Sequence, residues 1–205
     1  MRKFFPVLLG TVVVAAPMHA QARIGVLGGF VSSGASISDG AVSFNPSSRS
    51  GFAAGITVTA TIAPDIAVGP DLMYVQKGYK VNSSGNTFSV KGSYIEVPVL
   101  VHALFGTGPV RFVVLGGPAV AFKTSCTEED SKPGAGTLSL SCSEAGNNYK
   151  STDFSVMFGG GVRFGQFAVT ARYDLGLVNV DSDAPDGTSV KNHALLILLG
   201  YHFRK

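Results

Sequence analysis

The stretch Gly51-Phe-Ala-Ala-Gly-Ile-Thr-Val-Thr-Ala-Thr-Ile62 decides how this chain folds. Phe52, Ala54, Ile56, Val58, Ala60 and Ile62 alternate with Gly51, Ala53, Gly55, Thr57, Thr59 and Thr61. Successive side chains of a strand point to opposite faces, so this run has one apolar face and one small or hydroxylated face. Usual soluble strands have ~5–6 residues, whereas a tilted strand needs ~9–11 to cross a bilayer, and this run has the longer kind of length.

Working outward, Gln166–Leu177 repeats the pattern. Phe167, Val169, Ala171, Tyr173, Leu175 and Leu177 fall on one side, and Gln166, Ala168, Thr170, Arg172, Asp174 and Gly176 on the other. The same period predicts eight strands, near 23–34, 50–62, 66–80, 91–105, 110–123, 152–164, 166–179 and 192–203. Their connections alternate in length. Ala63-Pro-Asp65, Gly106-Thr-Gly-Pro109 and the Phe164-Gly-Gln166 turn are short, whereas polar segments near 35–49, 81–90, 124–151 and 180–191 are long. An even strand count with short turns at one end and long loops at the other is the pattern of an outer-membrane barrel. Lipid offers backbone groups no hydrogen bonds, so a spanning sheet must close on itself. The expectation is an all-β fold: an eight-stranded antiparallel up-and-down transmembrane β-barrel.

A soluble barrel of lipocalin type is the competing fold, with apolar residues inside and polar ones outside. Here the strand charges Asp71, Lys77, Glu96, Arg111, Arg163, Arg172 and Asp174 mostly share a face with Gly, Ser and Thr, and the opposite face is nearly free of charge. Such a face turned to water would be a very large apolar patch. Lipid is the better solvent for it.

Composition agrees. The 205 residues are 45% hydrophobic and only 14% charged, which excludes a disordered chain. Gly and Pro recur along the whole sequence, with Ala119–Lys132 the longest stretch free of both, so a helical bundle is excluded too. Beyond the N-terminus no apolar run approaches the ~18–20 residues of a spanning helix. Arg2-Lys3, the apolar Phe4–Ala16 and the small-x-small Ala20-Gln-Ala22 read as a secretory signal, cut after Ala20 or Ala22. Residues 1–22 are therefore assigned to the signal peptide and 23–205 to the barrel. Without the signal, 14 Lys and Arg face 13 Asp and Glu, a balance that gives no support for nucleic-acid binding.

Gly69-Pro-Asp-Leu-Met-Tyr-Val-Gln-Lys-Gly78 resembles the "PELLYSQKG" strand of PorT-like outer-membrane β-barrel proteins, and Tyr94-Ile-Glu-Val-Pro-Val-Leu-Val101 resembles their "YLEIPLLLK" strand. Gly116-Gly-Pro118, Gly159-Gly-Gly161, Ala171-Arg-Tyr173 with Gly176-Leu177, and Leu199-Gly-Tyr-His-Phe203 follow in that family's order. The resemblance spans about residues 23–203. It implies a bacterial outer-membrane barrel, in a family whose namesake is associated with protein secretion.

Candidate site residues come from the charged face. Asp71, Glu96, Arg172 and Asp174 are expected near mid-height of the lumen, with Arg111 and Arg163 nearer the periplasmic end. Eight strands leave an interior that side chains just fill, so these six residues are read as an ion-pair network plugging the barrel, with Glu96 and Arg172 facing each other. Cys126 and Cys142, both in the longest loop of an exported chain, are expected to form a disulfide that holds that loop. Glu128-Glu-Asp130, Glu144, Asp181, Asp183 and Asp186 read as a solvated acidic rim. His102 and His202 are expected close to the periplasmic ends of their strands and His193 at the outer rim, and no motif assembles a Ser/His/acid set. Phe52, Tyr74, Phe105, Phe112, Phe122, Phe154, Phe164, Phe167, Tyr173, Tyr201 and Phe203 are expected as aromatic girdles at the two headgroup levels.

The functional expectation is a non-enzymatic, monomeric barrel with no cofactor and no metal. It sits in outer-membrane lipid with a structural or surface-interaction role, including a secretion-accessory one, through the long loops. A narrow small-solute channel and a soluble lipocalin-like ligand-binding barrel are the alternatives.

Overall fold

Alternating strands whose apolar sides face one way close into a ring. The computed structural model describes residues 22–39, 42–83, 85–182 and 188–203. The signal segment before Ala22, with His19, and the loop acids Asp183 and Asp186 lie outside them. Among the described residues there are ten strands: β1 (Ala22–Asp39), β2 (Val42–Phe44), β3 (Ser47–Ala63), β4 (Ile66–Ser83), β5 (Asn86–Phe105), β6 (Val110–Lys132), β7 (Gly136–Ser141), β8 (Thr152–Phe164), β9 (Phe167–Gly176) and β10 (Thr188–His202).

Eight of them form the barrel wall in the order β1-β3-β4-β5-β6-β8-β9-β10, with every pairing antiparallel and β10 returning to β1. Closure runs continuously from Gly25↔His202 to Asp39↔Thr188. The short β2 folds back on β1, and β7 pairs with β6 alone.

Sidedness follows the sequence reading. Ile56 and Val169 are exposed on the outer wall, whereas Glu96 and Arg172 are buried inside. On β6 the outward apolar series runs from Val110 to Phe122. At ~3.3 Å per residue and a tilt of ~40°, that is a band about 30 Å tall, the thickness of a bilayer core. The lipocalin alternative would need this surface to be polar.

Aromatic rings bound the band. Phe164, Phe167, Tyr201 and Phe203 contact one another in sequence near the short turns, with centroids 5.1–5.8 Å apart. Phe52–Tyr74 forms an equivalent contact toward the other end, and Phe158–Tyr173 lies within the band.

All four expected long loops contain strand: 35–49 holds the end of β1, β2 and the start of β3, and β10 begins at Thr188 within 180–191. Residues 81–90 belong to a hairpin paired from Gly78↔Lys91 to Ser83↔Asn86, closed by a tight turn that includes Gly85 at φ 84°. Tyr79, Val81, Phe88 and Val90 keep the alternation there, but Asn and Ser between them disguised it. Likewise β6 continues through Lys123–Lys132, held by β5 on one side and β7 on the other. Glu128-Glu-Asp130 therefore lies in a strand rather than a loop. Outside lipid, a strand needs paired backbone but no apolar face, so polarity alone did not mark its end.

Candidate functional site in the barrel lumen

Period two fixes which residues fill the interior. Along β4, Asp71, Met73, Val75 and Lys77 all point inward and are all buried. β4 and β9 stand diametrically opposite in the ring of eight, so contacts between them bridge the full lumen. Arg172 Nη1 on β9 donates to Asp71 Oδ2 at 2.6 Å, and its Nε donates to Thr170 Oγ1 at 3.3 Å. Lys77 bonds Asp174 across the same diameter and sits 2.8 Å from Glu96 Oε2 on β5. Its ammonium also lies 5.6 Å from the Tyr94 ring centroid.

Lys77 is 1% exposed and Glu96 0%, so neither charge has water to solvate it. A charge desolvated this completely is tolerable only when paired. The expected Glu96–Arg172 contact does not form. Arg172 takes Asp71 and Glu96 takes Lys77, because Lys77 projects from β4 between Glu96 and Asp174. Lys77, which shares parity with Asp71, joins the network beyond the six expected residues. Asp153, which accepts from Asn192 Nδ2 at 2.9 Å, was missed. It shares parity with Arg163 on β8, and that was the signal available.

Apolar side chains complete the plug. Met73, Leu100, Met157, Leu196 and Leu198 form one buried cluster with Val31 and Leu115. Glycines let β8 approach β9 closely: a Cβ on Gly159 or Gly161 would collide with the backbone carbonyls of Ala171 and Val169.

The outer mouth is sealed by a second cluster of Ala35, Val180 and Val190, packed with Ile37, Tyr79 and Tyr149. The Tyr79 and Tyr149 hydroxyls are 3.3 Å apart, Lys123 donates to the Tyr149 carbonyl, and Lys150 N donates to Val180 O at 2.7 Å. Burial, with help from the Tyr79 hydrogen bond, raises the pKa of the Tyr149 hydroxyl. The Cys126–Cys142 disulfide, Cα–Cα 5.4 Å, joins β6 to the end of β7 beside this cap. It staples a hairpin rather than an irregular loop. Glu128 is buried next to it and accepts both bonds from Asn147 Nδ2, at 2.9 and 3.1 Å.

The periplasmic half differs. Arg111 bonds Asp65 at the mouth, and Arg163 faces Arg111 directly across the β6–β8 pairing. His102 and His202 lie close to the periplasmic ends of β5 and β10, as expected, and line this lower lumen. His193 stays outside, stacked on Tyr173 at 6.3 Å.

A closed antiparallel barrel with a lipid-height apolar wall and its charged residues turned inward is a transmembrane β-barrel. The family described as outer membrane protein beta-barrel domain matches residues 17–182, more than half of the chain, and the protein belongs to that family. Its structure is similar to that of Ail, the attachment invasion locus protein of Yersinia pestis, at 16% identity and TM-score 0.41, covering 89% of this chain and 99% of that one. It is also similar to Neisserial surface protein A, at 14% identity and TM-score 0.45 over 89% and 99%, and to the outer-membrane protease OmpT of Escherichia coli, at 9% identity and TM-score 0.44 over 89% and 96%. Among curated proteins no sequence matches.

Proposed function

We propose that the protein is a closed, non-conducting outer-membrane barrel that holds its outer strand ends out toward a macromolecular partner. We place it with the PorT-like members of its family, on the two strand motifs at 69–78 and 94–101. Residues 1–22 serve as its export signal, and the barrel works as a monomer without a catalytic role.

The observation carrying this reading is that the lumen is filled from the Asp71–Arg172 pair outward: ion pairs across the diameter, an apolar cluster around them and a packed cap above. An eight-stranded interior is just wide enough for such filling. What remains available is the outer surface. There β5, β6 and β7 rise beyond the apolar band, and Leu138 on β7 is 62% exposed on a strand with no second neighbour among the described residues. Exposed apolar side chains on an unpaired edge favour association.

Planar-bilayer recording tests the reading. The folded protein, verified by a heat-shifted gel band, is expected to give no unitary conductance. Reproducible steps would replace this function with that of a narrow solute channel.

A further inference from the structure

The periplasmic end of the lumen is an open vestibule of about 490 Å³. That lies in the range of small-molecule sites, ~300–1,000 Å³. Arg23, Arg111 and Arg163 line it with Thr59 and Thr61. It narrows inward to a smaller cavity of about 50 Å³ that shares Arg163 and Thr59 and ends at His102, His202 and Arg172.

The charge here is uncompensated. Arg111 has Asp65, and Arg172 has Asp71, but among the described residues no carboxylate pairs with Arg163 or Arg23. Arg111 and Arg163 are register partners on neighbouring strands, and both line the vestibule. Like charges placed directly opposite destabilise a sheet. Deeper in, His102 Nε2 and His202 Nδ1 are buried without a hydrogen-bond partner. Each ring nitrogen can carry a proton and donate it. Guanidinium forks and hydroxyls around the vestibule, with free imidazole nitrogens in the cavity behind it, are the donor set that a tetrahedral oxyanion accepts.

We propose that this vestibule binds a phosphate-type oxyanion, held between Arg163 and Arg111 with the two imidazoles behind them. The anion comes either from solution as free phosphate or from a phospholipid headgroup of the periplasmic leaflet. The site opens away from the outer strands, so it stands whatever those strands engage.

The test uses the full barrel folded in phosphatidylcholine vesicles, titrated with inorganic phosphate and followed by calorimetry and 31P NMR. Saturable binding that weakens at least tenfold in Arg163→Gln, is kept largely by Arg163→Lys, and is not matched by chloride supports the free-phosphate source. A second arm adds phosphatidylglycerol to the vesicles. If free phosphate gives no signal, but the headgroup 31P resonance shifts with wild type and not with Arg163→Gln, the lipid is the source. The heat-shifted gel band verifies that each variant is folded. Absence of a signal in both arms, or one that Arg163→Gln leaves unchanged, overturns the proposal.

Discussion

Above Asp71 and Arg172, the inward lysine meets two carboxylates, and apolar side chains close the space around them. Below that pair, Arg163 and Arg23 line open volume with no carboxylate beside them among the described residues. The same strands build both halves, with the same alternation. The difference is therefore one of filling. Where the lumen is packed, charge is tied off at short range. Where it is open, water or a ligand must do the solvating, and the surplus is positive.

The upper half should be the more fragile to charge removal. Lys77→Met strands Glu96 and Asp174 in a dry interior, and breaking a buried pair on one side costs ~3–5 kcal/mol. Unfolding in urea from lipid vesicles should show that loss. Adding Glu96→Gln and Asp174→Asn to Lys77→Met should recover most of it, because polar but neutral groups then replace the orphaned charges. Single and triple variants of equal stability would remove the distinction between the halves.

The cap above the upper half is secured separately. In the chain-entropy model, a disulfide closing a loop the size of Cys126–Cys142 contributes ~3 kcal/mol. Because β6 and β7 pair beyond the lipid band, the loss in a Cys126→Ala/Cys142→Ala variant should stay local. Limited proteolysis should cut within 126–151 faster, while the heat-shifted band of the barrel is unchanged. A barrel that loses its heat shift would show that cap and plug are one cooperative unit.

The lower half should respond in the opposite direction. Arg163→Gln relieves the repulsion from Arg111 and, in buffer without phosphate, should stabilise the barrel by a few tenths up to ~1 kcal/mol. Added phosphate should shrink or reverse the gain. A destabilised Arg163→Gln barrel in phosphate-free buffer would mean that Arg163 already has a satisfying partner, which would contradict the openness of this half.

How much of this was legible follows from what period two can and cannot encode. Parity along a strand tells inside from outside, so the apolar wall, the inward Asp71, Glu96, Arg172 and Asp174, and the closure of the ring could all be read. It says nothing about which inward side chains share a height, because that depends on strand tilt and stagger. Glu96 and Arg172 were therefore matched wrongly, although both were placed on the correct face. Parity puts Lys77 on the inward face as well but does not give its height relative to Glu96 and Asp174, and β4, expected to end near residue 80, continues to Ser83. The same underestimate of strand length turned the Glu128 strand into a loop. Polar residues look alike in a loop and in a strand above the membrane, where backbone pairing carries the structure and the side chains have no core to report.

The smallest effect lies at the outer end of β7, where charge is satisfied by local geometry alone. Glu144 accepts from Ser141 Oγ at 2.7 Å and from Ser141 N at 3.0 Å, and these bonds hold its carboxyl below the ordinary glutamate range. A lowered folded-state pKa means the turn is supported at pH above the unfolded-state value and loses that support as pH falls through the folded one. Carbon-13 titration of the Glu144 carboxyl should give a midpoint below that of free glutamate, and Ser141→Ala should bring it most of the way back. The carboxyl is fully exposed, so overall stability should hardly change with it. A Glu144 midpoint that moved with Lys77→Met would instead link this turn to the plug far below and extend the packed half of the molecule to its outermost tip.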